Sequence, residues 1–397
     1  MNRNNKDRPV HRPRIGIDLH VADGIFQGSR THCLELFSRV IAFTPECNFV
    51  LLSSDPGNLA SFSESFKLPH VTLMPMPGRS SAVRLLWQLP RIVRQCGLDL
   101  LHVQYIAPPL RYCATAVTVH DILFESHPQY FEKLFRLRSR LLVPLSVRRS
   151  AAVFTVSEFS RKQICDAYSI SGERVHTIPN GVDHARFFPG DLGRETLQAL
   201  GLERGAYFLT VGRLEPRKNH ATLLRAWARL NSPRPPLVIV GQRHFQFGEA
   251  FDLIRTLHLE RDVTVLDAVS DAQLPAIYRN ARGFVCCNWA EGFAMPLLEA
   301  MASGIPVVSS TNTAMSEVGG DAVLPVEASD PKEIAQAILA LERQAGLREG
   351  LVQRGLLRAG RFTWEKPART VRNIYLTHFG LQPDSVSQET NSNCAAR

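Results

Sequence analysis

Residues 206–241 read AYFLTVGRLEPRKNHATLLRAWARLNSPRPPLVIVG. A wholly apolar run ends on a glycine, a loop carrying three cations follows, then an amphipathic stretch, then a second apolar run that also ends on glycine. Short runs without polar alternation suit parallel strands covered on both faces by crossover helices. The same unit recurs downstream in VTVL at 263–266, GFVCC at 283–287 and IPVVSS at 305–310. Upstream it recurs in RIGIDL at 14–19, NFVLLS at 48–53, DLLHV at 99–103, TAVTVH at 115–120 and AAVFTV at 151–156. Two such series predict an α/β protein of two doubly wound, Rossmann-like domains.

A chain of 397 residues has room for two such cores. The stretch IPNGVDHARFFPGDLGRETLQALGLERG at 178–205 is rich in turn formers and reads as the join. The expected layout is a first domain over 13–180, a linker over 181–205 and a second domain over 206–362. A helix at 363–381 is expected to cross back to the first domain. The polar segments 1–12 and 382–397 read as disordered tails.

A hydrophobic fraction of 45% with 21% charged residues describes a globular chain, neither fibrous nor wholly disordered. The net charge of +9 points to phosphate-bearing partners without choosing among nucleic acid, anionic lipid and nucleotide. The eight cysteines show neither CxxC pairing nor a histidine spacing suited to zinc, so reduced thiols and a cytoplasmic chain are expected. The start, MNRNNKDRPVHRPR, lacks the apolar core of a secretory signal, and no run of about 18 apolar residues offers a membrane span. Any membrane contact is expected to be peripheral, on the inner face of the cytoplasmic membrane.

Ligands of doubly wound sheets bind beyond the carboxyl ends of the strands. At the end of the 206–212 run stand Gly212, Arg213, Arg217 and Lys218, with Asn219 placed to cap the following helix. Cations beside a helix N-terminus form an anion site. A solvated basic loop would carry the same charges; a second motif decides against it. In NWAEGFAMPLLEAMASG at 288–304, Pro296 and Gly304 bracket a helix, with Glu291 in the preceding turn and Glu299 in its first turn. Carboxylates repel phosphate but accept from hydroxyls, so Glu299 suits a ribose and Glu291 a sugar ring. The amides of Gly292 and Phe293 are left for a diphosphate or the sugar.

Taken together, VGRLEPRKNH, EGFAMPLLEAMASGIPVVSS, IPNGVD, TVSEFSRKQI and TVHDILFE resemble, in order and spacing, the retaining GT-B glycosyltransferases of the group 1, or GT4, family. The resemblance covers about residues 14–378. It implies that Arg213 and Lys218 bind the donor diphosphate, and that Glu291 and Glu299 form the family's E(x)7E pair, meeting the transferred sugar and the nucleotide ribose. It places His120, of the VHD segment, in the cleft near that sugar. It assigns the glycine-rich loop of the first domain, here Gly24 and Gly28, to the donor phosphate and acceptor. The paired glycines common in the family are four residues apart in this chain. The resemblance also implies retention of anomeric configuration, and ESHPQYF after VHD is most similar to polysaccharide mannosyltransferases, so GDP-mannose is the expected donor and a UDP-sugar the second choice.

Arg213 and Lys218 can stabilise a departing diphosphate electrostatically, and no DxD pair stands at a strand end, so neither metal nor other cofactor is expected. Residues 132–149, EKLFRLRSRLLVPLSVRR, combine leucines with basic residues across Pro144, which is expected to interrupt them. They read either as a surface for anionic lipid, which suits a lipid-linked acceptor, or as a core-packing helix with a solvated basic face. The expected partners are thus a nucleotide sugar, a glycan or lipid-linked acceptor and an anionic membrane surface, with no nucleic acid. Rival readings are a nucleotide-sugar epimerase or hydrolase of the same architecture, and a non-enzymatic polyanion binder. A dehydrogenase would need GxGxxG after a strand, which is not evident.

Overall fold

The computed structural model describes residues 12–23, 28–77, 80–244 and 247–382. The first sheet contains β1 (Arg14–Asp18), β2 (Asn48–Ser53), β3 (Val71–Pro75), β4 (Leu100–Gln104), β5 (Ala114–Thr118), β6 (Ala152–Thr155) and β7 (Val175–Thr177). The second contains β8 (Phe208–Val211), β9 (Leu237–Val240), β10 (Val263–Leu266), β11 (Gly283–Cys286), β12 (Val307–Ser310) and β13 (Leu324–Val326). The orders are β3-β2-β1-β4-β5-β6-β7 and β10-β9-β8-β11-β12-β13, with parallel pairing throughout. In each sheet the chain winds outward from a central strand and then restarts on its other side. The reversal lies between β1 and β4 and between β8 and β11, and it is there that such sheets leave a crevice for ligands.

The central strands fall within about two residues of the apolar runs in the sequence. Three strands were not expected: β3, β7 and β13 each lie at a sheet edge. β3 is only partly buried along its length and β7 and β13 have three residues each, so none produces a long apolar run.

Helices Gly28–Phe43 and Glu365–His378 lie against one another on one side of the first sheet. Arg39 reaches Glu365 at 3.1 Å, Arg372 Nε donates to the Phe43 carbonyl at 2.6 Å, and Tyr375 meets the buried His102 at 2.5 Å. The last described helix therefore packs on the first domain although it follows the second. The two chain crossings run side by side: the Val182 amide donates to the Phe362 carbonyl at 3.0 Å. A Cβ on Gly181 would stand 2.6 Å from the Trp364 nitrogen, so only glycine fits that approach.

The segment after Gly181 is more than a connection. Phe187 and Leu197 are buried, and Phe187 packs its ring 5.7 Å from that of Tyr278 in the second domain. The opposite face of the first sheet is covered by helices that include Lys133–Arg149 and Glu158–Tyr168. Helix Lys133–Arg149 runs unbroken through Pro144, which was expected to interrupt it. Its buried side is Val143, Ser146 and Val147, whereas Leu134, Leu137 and Leu141, spaced three and four apart, face outward. These three leucines therefore do not pack on the sheet, whereas Leu142, partly buried, does.

The seven described cysteines are free thiols, four of them buried; Cys394 lies outside the described residues. Among the described residues no helix is long and apolar enough to cross a membrane.

Candidate active site

The loop from Gly212 to Asn219 folds down over the ends of β8 and β9. Glycine is needed there for space: a Cβ on Gly212 would press on the Lys218 side chain at 3.2 Å, and one on Gly241 would lie 1.8 Å from the Gly212 carbonyl oxygen. Asn219 takes a left-handed conformation, φ 56°, and precedes helix His220–Ala228 without capping it by its side chain. Its amide instead donates to the carbonyls of Cys287 and Ala328, both at 2.8 Å, pinning the loop to the far side of β11.

The loop's cations enter a compact charge network. Arg217 reaches Glu215 at 2.7 Å and Glu291 at 2.9 Å, and also donates to the Ala290 carbonyl. Lys218 Nζ lies 2.5 Å from Glu291 Oε1, to which Asn288 also donates at 2.6 Å. Arg213, the most exposed of the three, reaches Glu215 at 3.1 Å. Burial alone would raise the Glu291 pKa, but Arg217 and Lys218 reverse this and hold it at about 2. Glu291 is therefore a carboxylate, with Lys218 and Asn288 on one oxygen and Arg217 on the other. Its own amide donates to Thr313 Oγ1 at 2.8 Å, which fixes the turn.

Helix Met295–Ala302 begins one residue before Pro296, so Glu299 sits in its second turn instead of the first. It is too far along to complement the helix dipole. It lies half-buried on the cleft wall, and burial pushes its carboxyl up to about 7, with Tyr278 and Arg186 opposing. Gly292 is pressed between the domains. Its carbonyl accepts from Ser157 Oγ at 2.7 Å, and a Cβ would stand 2.8 Å from the Asp121 side chain. The amides of Gly292 and Phe293 make no hydrogen bond among the described residues.

From the first domain, His120 follows β5. Its ring packs edge-on against His32, with centroids 4.7 Å apart, and Nε2 donates to the Gln104 side-chain oxygen at 3.0 Å, leaving Nδ1 as an acceptor. Burial, reinforced by His32 and His102, keeps the ring neutral. Asp121 accepts from the Leu123 amide at 3.1 Å and so caps the short turn that follows. Gly28 opens helix Gly28–Phe43, and a Cβ there would stand 3.6 Å from the Met295 sulfur across the cleft; Gly24 lies outside the described residues.

These groups line one cavity of about 270 Å³ between the domains: Gly28 and His120 from one side, Gly212, Arg213, Lys218, Glu291, Gly292, Phe293 and Glu299 from the other. It lies at the reversal points of both sheets. Arg217 lines it too, although the sequence reading gave the diphosphate to its neighbours; its adjacency to Lys218 was visible, its two carboxylate partners were not. Asn288 and Thr313, which hold Glu291, carried no sequence signal. Among the described residues no group of three His, Cys, Asp or Glu is arranged to hold a metal ion.

Two Rossmann-like domains facing each other across such a cleft define the GT-B architecture. Sucrose-phosphate synthase of Thermosynechococcus elongatus shares it at a TM-score of 0.74 and 18% identity, over 93% of this chain and 100% of that one. A structure of Anabaena HepE in complex with UDP-glucose shares it at 0.72 and 17% identity, over 93% and 100%. The glycosyl transferases group 1 model matches residues 194–358, and the glycosyltransferase family 4 model residues 27–186. The O-antigen chain mannosyltransferase B of Escherichia coli is 32% identical over 272 residues, 67% of this chain and 71% of that protein. The chain belongs to the group 1 glycosyltransferases.

Proposed function

We propose that the chain moves a hexose from a nucleoside-diphosphate sugar to a hydroxyl of a glycan or lipid-linked acceptor, with retention of configuration. The observation that carries this reading is the single cavity joining the loop cations, two carboxylates of unlike character and a neutral imidazole from the opposite domain.

In the reaction the bond from the anomeric carbon to the diphosphate oxygen breaks and a bond to the acceptor oxygen forms on the same face. The acceptor proton passes to the departing diphosphate. Negative charge grows on that leaving group, where Arg213, Lys218 and the free amides of Gly292 and Phe293 offset it. Within the loop network three cations meet two carboxylates, Glu215 and Glu291, so one cation is left over for a phosphate. A diphosphate that draws Lys218 away from Glu291 leaves Arg217 and Asn288 holding the carboxylate and opens one acceptor position on Oε1 for a sugar hydroxyl. Glu299 accepts from the ribose, and His120 Nδ1 from a hydroxyl of the transferred sugar. With protein cations supplying the counter-charge, the proposed reaction requires no metal, so chelation leaves the rate unchanged.

GDP-mannose is the first donor proposed, because the E. coli relative is a mannosyltransferase. A UDP-sugar is the second, because a structural neighbour holds UDP-glucose. The acceptor is proposed to be met at the inner face of the cytoplasmic membrane. There the outward Leu134, Leu137 and Leu141, with the exposed Leu86 and Trp87 of a neighbouring helix on the same face of the first sheet, would enter anionic lipid. Thermal shift with GDP-, UDP- and ADP-sugars tests the donor site: the correct donor stabilises the wild type and loses most of that effect in Lys218→Ala. Stabilisation by none of them, or equal stabilisation of both proteins, refutes the assignment.

A further inference from the structure

We propose that a second cavity, behind the Arg213–Asn219 loop, is a saccharide subsite that holds the acceptor's sugar unit next to the one being extended. This rests on the glycosyl-transfer reading and adds to it that the acceptor is itself a glycan. The cavity measures about 230 Å³ and spans both domains, with Tyr130 of the first facing Trp289, Phe247 and His220 of the second.

Three features select a neutral sugar. Three aromatic side chains, Tyr130, Phe247 and Trp289, are in the lining, and aromatic carbon suits the C–H face of a pyranose. His220 is 6% exposed, yet its ring makes no hydrogen bond among the described residues. Burial lowers its pKa to about 4, so it remains an uncharged imidazole with one donor and one acceptor for sugar hydroxyls. The carboxylates of Glu215 and Glu249 also line the cavity. Glu215 is already paired with Arg213 and Arg217, and Arg225, the one cation among the described residues lining the cavity, lies 3.9 Å from Glu249. The cavity thus offers a phosphate no unpaired cation among these residues, whereas Glu249 can accept from hydroxyls.

Its position fits the same occupant. Trp289 precedes Glu291 by two residues, so their α-carbons are at most about 7 Å apart, and the Trp289 amide donates to the Arg217 carbonyl at 3.0 Å. The wall of this cavity is thus continuous with that of the reaction cavity. On the other side, Tyr130 lies three residues before the helix that carries the outward leucines. A glycan tethered to lipid beside that helix passes this cavity on its way to Glu291.

The test uses the full chain and the series methyl α-mannoside, mannobiose and mannotriose, with binding read by saturation-transfer NMR and calorimetry. Affinity should rise from the monosaccharide to the longer members. Trp289→Ala and His220→Ala should each lower it about tenfold, or roughly 1.4 kcal/mol, while Trp289→Phe keeps most of it. Melting temperatures and nucleotide-induced stabilisation, measured on the same samples, show whether each variant is folded and its donor site intact. No binding across the series, or binding unchanged in Trp289→Ala, overturns the subsite. A chain that binds the saccharides but no nucleoside diphosphate upholds the subsite and refutes the donor reading.

Discussion

Lys218 Nζ and Glu291 Oε1 stand 2.5 Å apart, with Arg217 on the other carboxylate oxygen at 2.9 Å. The group proposed for the leaving phosphate and the group proposed for the sugar are therefore ion-paired with each other.

Removing Lys218 should hurt the transition state more than the fold, because Arg217 and Asn288 still hold Glu291. Lys218→Ala is expected to lower kcat/KM roughly 10²-fold, the effect of losing one charged stabiliser of a leaving group. In steady-state kinetics, adding Glu291→Gln should cost less than the sum of the two single changes, since the side chains touch.

The Glu299 carboxyl, pushed up to about 7 by burial, should make binding of the proposed nucleotide donor depend on pH. Its folded pKa lies above the ordinary carboxylate value, so the stability it contributes is complete at acid pH and is lost as pH rises through about 7. As a ribose acceptor it must be ionised, so affinity for a nucleoside diphosphate should fall as pH drops below 7. Calorimetric titration of Glu299→Gln on either side of pH 7 should show weaker binding with a flatter pH dependence than wild type.

Gly292→Ala would set a methyl group 2.8 Å from the Asp121 side chain and 3.1 Å from the His120 carbonyl. At 2.8 Å something must shift, and the neighbours belong to the opposite domain. Solution scattering should report a larger radius of gyration than wild type, and turnover should drop more than nucleotide affinity.

Replacing Leu134, Leu137 and Leu141 together by serine exposes nothing that is now buried, so the melting temperature should hold. Flotation with vesicles containing phosphatidylglycerol should be lost. Wild-type flotation should weaken as salt rises, because the flanking arginines act through screened charge.

Much of this was legible in the sequence. The apolar runs at 206–212 and 283–287 set the strands on either side of the second reversal point, and the cations and carboxylates at their ends lie in one cleft. What was hidden depends on contacts between distant segments. Arg217 looked like surface charge until Glu215 and Glu291 closed on it. Asn219 looked like a helix cap, but two carbonyls from β11 onward claim its amide. Glu299 moved from the dipole to the cleft wall because the helix starts one residue early. Leu134, Leu137 and Leu141 could have faced either way, and only the placement of Val143 and Val147 on the sheet turned them outward.

The two chain crossings run side by side at Gly181 and Trp364, so both connections between the domains lie together. Any swing of the halves would turn about that place. Contacts between the halves include polar ones: Arg30 with Asp271 at 3.1 Å, Ser157 with the Gly292 carbonyl, and Glu317 accepting from the amides of Glu158 and Phe159 at 2.9 and 3.0 Å. Water can replace each of these at small cost, whereas the crossings are covalent and would stay joined.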